Sequence, residues 1–305
     1  MNIGKLGVWT LIDPLSAHAE ADFAGKVEQW GYSALWTGEA WGRDVLVNSA
    51  WLLANTRTLM IASGIANIYA RDAMAMAAAR AQLNEQSGGR FLLGMGISHG
   101  FMVTSLRGHA YGKPIETMRN YLEAMSRAKY SSPPPPEPPV TLLAALGPKM
   151  VALARDLADG SHPYNITVSQ TAQAREILGP GKLLCVEQKV LLETDATRAR
   201  AIARANLQPY VDAPNYVNSW RRAGFDDRDF TGGLSDRLVD AAIAWGDEDA
   251  LAKRIREHWE AGASHVCINA LHADPNKLMA AVGPDISLVE RLAPLARASN
   301  ASTAR

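Results

Sequence analysis

Residues 88–99 read GGRFLLGMGISH, a Gly-Gly turn followed by an apolar run that ends in a small, polar tip. Four or five apolar residues bounded by glycines are typical of a strand that is buried on both faces. Residues 73–86, just before this run, have the pattern of a helix, so the stretch is one step of a helix–strand alternation. Small residues at the end of the strand would let a flat ligand or a phosphate approach the backbone closely.

The same alternation runs along the whole chain. Such an order indicates parallel strands with right-handed crossovers, and eight units favour a closed TIM barrel over an open sheet. An open, doubly wound sheet is the competing fold. Against it, the first strand is not followed by the Gly-x-Gly-x-x-Gly turn of dinucleotide-binding folds. Besides the strand within residues 88–99, the predicted strands are residues 5–9, 33–37, 59–66, 140–145, 183–192 and 265–271, and residues 159–164 are predicted to be a short strand with its rim loop.

Two segments depart from this alternation within what we otherwise interpret as one domain over residues 1–305. Residues 212–245 are polar and glycine-bearing and fit no single strand–helix unit, so they are predicted to be an insertion over the barrel mouth. Residues 131–139 read SSPPPPEPP, which predicts a stiff polyproline connector on the bottom of the barrel. A ligand for a proline-binding module is the alternative interpretation of that segment.

Composition excludes several classes of function. The chain has 305 residues, 48% of them hydrophobic, and 31 basic residues balance 31 acidic ones without a basic stripe, which argues against nucleic acid as a partner. Cys185 and Cys267 form no Cys-x-x-Cys pair, so neither a disulfide framework nor a zinc site is expected. We find no signal segment and no apolar run near the ~20 residues that span a bilayer, and therefore expect a cytoplasmic protein without membrane contact.

The predicted strand ends carry small or polar residues instead of a catalytic triad or a metal cluster. Such a rim suits a large planar cofactor that is seated on backbone groups, although each glycine taken singly could merely permit a turn. The rim residues are Glu39, Ser63, Gly64, Ile65, Asn67, Gly96, Ile97, Ser98, His99, Ala144, Ala145, Leu146, Gly147, Pro148, His162, Tyr164, Glu187 and Asn269.

Two of these residues are the candidates for catalysis. Glu39 could act as an acid or base, because a carboxyl group against a dry ring can exchange protons near neutral pH. Its alternative role is an ion pair with Arg43. His99 could meet the substrate or the ring, or could be a hydrogen-bonded loop residue. No metal is expected, because no pair among the seven histidines has the i, i+4 spacing beside a carboxylate.

Six segments, taken in their order and spacing, resemble one known family, the bacterial luciferase-like superfamily and in particular its deazaflavin-dependent oxidoreductases. They are residues 64–72 (GIANIYARD), 88–99 (GGRFLLGMGISH), 106–114 (LRGHAYGKP), 144–150 (AALGPKM), 244–247 (AWGD) and 261–266 (AGASHV).

This resemblance implies a TIM barrel that holds coenzyme F420, or alternatively FMN, at the carboxyl ends of its strands. It also implies a non-prolyl cis peptide bond between Gly64 and Ile65, which forms a bulge behind the central ring of the cofactor. Residues 96–98 match the segment along the cofactor's side chain, and residues 145–148 match a backbone loop near its phosphate. Family members are often dimers, so a homodimer is expected. One departure concerns Gly38-Glu39, where many relatives have Asp-His.

Three functions follow as hypotheses. The first is an enzyme that transfers a hydride between coenzyme F420 and a small organic substrate, such as an alcohol, a carbonyl compound or an enone. The second is an FMN-dependent luciferase-like monooxygenase, in which a dry cavity protects an oxygen adduct from water. The third is a barrel that binds a flavin without turnover.

Overall fold

The computed structural model describes residues 3–40 and 42–301, and within them eight parallel strands close into a TIM barrel. The closed ring confirms the predicted fold and excludes the open sheet. The strands of the described residues are β1 (Leu6–Thr10), β2 (Ala34–Thr37), β3 (Met60–Ser63), β4 (Ala66–Asn67), β5 (Phe91–Gly96), β6 (Thr141–Leu143), β7 (Gly160–Ser161), β8 (Leu183–Leu192), β9 (Ile243–Gly246) and β10 (His265–Leu271). In the ring, β4 continues β3, and β10 closes the barrel by pairing with both β1 and β8, whereas β9 pairs with β8 outside the ring.

The predicted third strand is interrupted. β3 pairs with β5 from Ile61 opposite Phe91, whereas its continuation β4 pairs with β5 from Ala66 opposite Met95. One extra residue therefore lies between β3 and β4, which is the arrangement of a β-bulge. The sixth strand is short, as predicted, since Gly160 and Ser161 form β7 and the rest of residues 159–164 lies outside it.

Helices cover the outside of the ring, and most begin at a side-chain cap such as Ser16, Asp44, Asp72, Thr167 or Asp247. They are α1 (Ala17–Gln29), α2 (Val45–Ala54), α3 (Ala73–Ser87), α4 (Pro114–Arg127), α5 (Pro148–Leu157), α6 (Val168–Leu178), α7 (Ala196–Val211), α8 (Pro214–Arg222), α9 (Asp236–Ala242), α10 (Glu248–Glu260), α11 (Met279–Val282), α12 (Ile286–Arg291) and α13 (Ala293–Ala301). None of the described helices is long and apolar enough to cross a membrane.

The two segments that break the alternation have different structures. Residues 212–245 contain α8, a short 3₁₀ turn, α9 and most of β9, and they pack with α7 around an apolar cluster of their own. β9 pairs with the upper half of β8, beyond the point where β7 ends. Residues 131–139 lie between α4 and β6, with Pro136 beside Gly89 at the turn before β5.

The interior of the barrel is filled in layers, because alternate residues of each strand point inward. Trp36 stacks on His162 with ring centroids 4.4 Å apart, and its indole N–H donates to His265 Nε2 at 3.1 Å. Burial lowers the pKa of each histidine to about 4, so both rings are neutral at neutral pH. Cys185 and Cys267 are buried free thiols in the same interior cluster as Trp36. The polar residues of the mouth lie nearer the carboxyl ends of the strands than these interior side chains.

Candidate active site

The bulge between β3 and β4 lies at the carboxyl end of the barrel. The peptide bond between Gly64 and Ile65 is cis, as predicted. Gly64 is held from two sides, because its N–H donates to Thr37 O at 2.8 Å and its carbonyl accepts from Trp9 Nε1 at 3.0 Å. A Cβ atom at Gly64 would lie 2.5 Å from Trp9 Nε1 and 2.9 Å from His162 Nε2. Only glycine therefore fits this position.

The tip of β5 lies beside this bulge. A Cβ atom at Gly96 would lie 3.0 Å from the side chains of both Ile65 and Ala144, so the ends of β4, β5 and β6 meet there with little side-chain bulk. Ser98 has a left-handed backbone with φ 55°, and its carbonyl accepts from the Tyr111 hydroxyl at 3.4 Å. The structure thus brings the predicted cofactor residues of segments 64–67 and 96–98 together on one side of the mouth.

The predicted phosphate loop lines a cavity of about 300 Å³ next to this surface. All four of its residues, 145–148, contribute to the walls, and α5 begins there with Pro148 in its first turn. The guanidinium of Arg222, from α8, donates to Leu146 O at 3.1 Å and lies 3.5 Å from where a Cβ of Gly147 would be. A helix N-terminus with a guanidinium beside it favours an anion.

Glu39 forms an ion pair, but with an arginine other than the expected one. Its carboxylate is almost fully buried and pairs through both oxygens with Arg71, which also bonds to Asp44 at 2.8 Å. The backbone N–H of Asn67 donates to Glu39 Oε2 at 2.7 Å. The expected alternative partner, Arg43, is wrong: its Nε lies 3.3 Å from Glu20 Oε2, because the loop after β2 directs this side chain back toward α1.

Glu39 therefore anchors residues 67–71 to the end of β2 and holds the exit of the bulge in place. Its assignment as acid or base stays a prediction, and so does the contact of Asn67 with a cofactor. The Asn67 side chain already makes a hydrogen bond within the protein, since its Oδ1 accepts from Tyr69 N at 2.9 Å.

His99 lies at the rim with its ring 5.7 Å from that of Tyr216. Burial lowers the pKa of His99, so the imidazole is neutral at neutral pH. Among the described residues its ring makes no hydrogen bond, which differs from the hydrogen-bonded loop residue of the alternative interpretation. The catalytic assignment of His99 also stays a prediction.

A row of aromatic rings crosses the mouth from the barrel to α8. Trp9 and Tyr164 are 4.9 Å apart between ring centroids, Tyr164 and Tyr210 5.8 Å, and Tyr210 and Tyr216 4.8 Å. Trp220 follows, fully buried and 6.3 Å from Tyr216, with Phe230 stacked 6.3 Å beyond it. The row begins at Trp9, which donates to the carbonyl of Gly64, so it extends from the bulge across the mouth to α8.

A buried polar network lies beneath these rings. The Lys189 ammonium donates to Glu187 Oε1 at 3.0 Å and to Asn165 Oδ1 at 2.5 Å, and Asn269 Nδ2 donates to the same glutamate oxygen at 2.7 Å. The Lys189 ammonium also lies 3.9 Å from the centroid of the Tyr164 ring.

Sequence reasoning placed Glu187, Asn269 and Tyr164 at the rim but missed Lys189. The sequence did contain a signal for Lys189, because residues two apart on a strand share a face, and the polar run from Glu187 to Lys189 interrupts an apolar strand. Within the described residues, no group of three or more His, Cys, Asp or Glu side chains is placed to hold a metal ion.

The family model for luciferase-like monooxygenases matches residues 5–265. This chain belongs to that family. Among curated relatives of this luciferase-like protein, a putative coenzyme F420-dependent oxidoreductase of Mycobacterium tuberculosis is 25% identical, over 92% of this chain and 99% of the relative. A 5,10-methylenetetrahydromethanopterin reductase of Methanolobus tindarius is 27% identical, over 84% of this chain and 91% of the relative.

The fold agrees with solved structures of this family. An F420-dependent secondary alcohol dehydrogenase, solved with an F420–acetone adduct, superimposes with a TM-score of 0.72 over 96% of this chain and 99% of that chain. The two sequences are 14% identical. At this identity the likeness concerns the luciferase-like barrel fold alone.

Proposed function

We propose that this luciferase-like protein transfers a hydride between coenzyme F420 and a small organic substrate, such as an alcohol, a carbonyl compound or an enone. The observation that carries the proposal is the glycine-lined bulge at residues 64–65, held rigidly beside the tip of β5 at the barrel mouth. The putative coenzyme F420-dependent oxidoreductase among the relatives supports the deazaflavin over FMN as the cofactor.

The residues present fit such a cofactor. Gly64 and Gly96 leave the backbone bare where a flat ring would rest, and neither tolerates added bulk. The cavity at residues 145–148, with Arg222 at its edge, suits the phosphate of the same molecule. When bound, coenzyme F420 supplies a ring carbon that gives or takes a hydride and activates oxygen poorly.

The chain's own residues have three tasks in this proposal. Residues 64–65 and 96–98 seat the ring, and Glu39 with Arg71 fixes the segment that leaves the bulge. The aromatic row from Trp9 to Trp220 excludes water from the reacting face, which strengthens the electrostatic contacts there.

The proposal is tested by anaerobic assays that pair oxidised F420 with secondary alcohols and reduced F420 with ketones and enones. We expect turnover of at least one substrate class, followed by the visible absorbance of the cofactor, and no requirement for oxygen. Turnover that requires FMN and oxygen would instead support the monooxygenase. Tight flavin binding with no turnover under either condition would support the non-catalytic barrel.

Arg222→Gln should weaken the binding of F420 about tenfold to a hundredfold, the effect of losing one charge-assisted hydrogen bond. The Arg222 guanidinium lines the cavity beside Gly147, where the phosphate would bind. The loss of affinity should therefore vanish for a ligand without a phosphate, the deazaflavin chromophore with its ribityl chain. Fluorescence titration measures both affinities. Arg221→Gln is the matched control, because this neighbour on α8 is exposed and pairs with Asp227 instead. Equal losses for both ligands would contradict the assigned phosphate site.

We also propose that the protein forms a homodimer through α2 and α3. These adjacent helices expose large apolar side chains, with Val47 72%, Met74 65% and Trp51 42% accessible. A second copy of this face would cover them. Light scattering should give twice the chain mass for the parent protein, and Val47→Glu/Met74→Glu should give a monomer. Leu157→Glu, at an exposed position on α5, should remain dimeric. A monomeric parent would contradict the proposal.

A further inference from the structure

We propose that the hydroxyl of Tyr164 exchanges the proton with the substrate oxygen when the hydride is transferred. This inference rests on the proposed function. The reaction needs such a group, because a carbonyl carbon that accepts a hydride leaves an oxygen that must gain a proton.

Tyr164 stands at the centre of the mouth. It follows β7 at the carboxyl edge of the barrel, and its ring lies 4.9 Å from that of Trp9. Trp9 in turn donates to the carbonyl of Gly64 at 3.0 Å. A substrate that lies against a ring seated on this bulge therefore lies next to Tyr164. The side chain is partly exposed, unlike the fully buried residues beneath it.

The hydrogen bonds around Tyr164 leave its proton available. Its oxygen lies 3.0 Å from the Tyr210 hydroxyl and 3.5 Å from Asn269 Nδ2. The amide of Asn269 can only donate through this nitrogen, and the Tyr210 hydroxyl can also donate. A phenol oxygen that accepts from both neighbours keeps its own O–H for a third partner, and the substrate oxygen is that partner.

The charges beneath Tyr164 suit this exchange. The Lys189 ammonium lies 3.9 Å from the ring centroid and is held there by Glu187 and Asn165. Burial, the neighbouring Tyr210 and Glu187 raise the pKa of Tyr164 well above its usual value, so the phenol is protonated before the reaction. The nearby ammonium would stabilise the phenolate formed when the proton leaves.

The step balances in both directions. In reduction, a hydride from the reduced cofactor adds to the carbonyl carbon, the Tyr164 O–H bond breaks, and its proton bonds to the substrate oxygen. Tyr164 is left as a phenolate and regains a proton from solvent at the mouth. Oxidation is the reverse: Tyr164 first gives its proton to solvent at the mouth, and the phenolate then takes the alcohol proton while the hydride leaves for the oxidised cofactor.

The two residues predicted for catalysis are less suited to this task. Both oxygens of Glu39 accept hydrogen bonds from Arg71 or Asn67, so neither is open toward a substrate. The ring of His99 lies 5.7 Å from that of Tyr216. Its lowered pKa leaves it without the proton that a donor needs at neutral pH.

The test uses para-dimethylaminocinnamaldehyde, a chromophoric aldehyde whose absorption shifts to the red when its carbonyl oxygen accepts a hydrogen bond. The probe is added to the F420-free protein, so the result does not depend on cofactor binding. We expect the shift with the parent protein and its loss in Tyr164→Phe. Tyr216→Phe is the matched control, because it deletes the same atom from a neighbouring ring and should keep the shift.

Kinetics with reduced F420 and a simple ketone, cyclohexanone, give the second measurement. Tyr164→Phe should lower kcat about a hundredfold or more, the usual contribution of a general acid, while KM and the affinity for F420 stay close to the parent values. A parent protein that never shifts the probe, or a Tyr164→Phe protein that shifts it fully, would overturn the assignment. Failure of the parent to bind F420 would overturn the proposed function but leave the probe experiment decisive for Tyr164.

Discussion

Gly64→Ala should reduce turnover about a hundredfold, because displacing a reacting group by ~1 Å has an effect of that size. The added methyl group would lie 2.5 Å from Trp9 Nε1 and 2.9 Å from His162 Nε2. The tryptophan and the stacked histidine fill the barrel interior and cannot retreat, so the bulge must move into the space where the ring would rest. We also expect a loss of about 1–3 kcal/mol in the free energy of unfolding, as for other overpacked sites.

Gly25→Ala is the matched control for this variant. Gly25 lies within α1, and an added Cβ atom would have no heavy atom within 4 Å. The substitution should stabilise the protein by about 0.5–1 kcal/mol and leave turnover and F420 affinity unchanged. Urea unfolding and F420 fluorescence measure the two effects. A Gly64→Ala protein with parental turnover and affinity would show that the bulge does not seat the cofactor.

Arg71→Met should destabilise the protein by about 3–5 kcal/mol, the usual effect of leaving one member of a buried ion pair without its partner. The side chain of Arg71 is 10% accessible and that of Glu39 is 4% accessible, so water cannot replace the lost contact. The affinity for F420 should fall as well, because the segment after the bulge loses its anchor.

Two further variants test whether loss of the buried Glu39–Arg71 ion pair causes this destabilisation. Glu39→Gln/Arg71→Met should recover part of the lost stability, because the uncompensated charge is removed with its partner. Arg155→Met removes an arginine from an exposed pair with Asp156 and should change the free energy of unfolding by less than about 0.5 kcal/mol. No difference between Arg71→Met and Arg155→Met in urea unfolding would contradict the anchoring role.

The barrel could be predicted from the sequence because its strands are buried on both faces. Continuous apolar runs such as residues 91–95, bounded by glycines, mark them clearly. The interruption after Ser63 is not visible in that pattern, since residues 64–66 are as apolar as the strand before them. The bulge was expected only from the resemblance to a known family. The short β7 with its rim loop was predicted, and Pro163, which has no N–H, limits the extension of that strand.

Side-chain partners depended on the paths of loops, which local pattern does not specify. Glu39 has Arg43 close in sequence and Arg71 far away, and only the course of the loop before α2 selects the distant one. The aromatic row required the positions of α7 and α8 over the mouth. The polar network beneath it had a signal, since Glu187 and Lys189 share one face of an apolar strand, but their contact with Tyr164 needed the closed barrel.

The central claim is that the glycine-lined mouth seats a deazaflavin. Fluorescence titration of the purified parent protein with coenzyme F420, and separately with FMN, tests this claim most directly. The account predicts saturable quenching with a micromolar or lower Kd for F420 and markedly weaker binding of FMN. Micromolar quenching by FMN alone, or no saturable binding of either molecule, would contradict it.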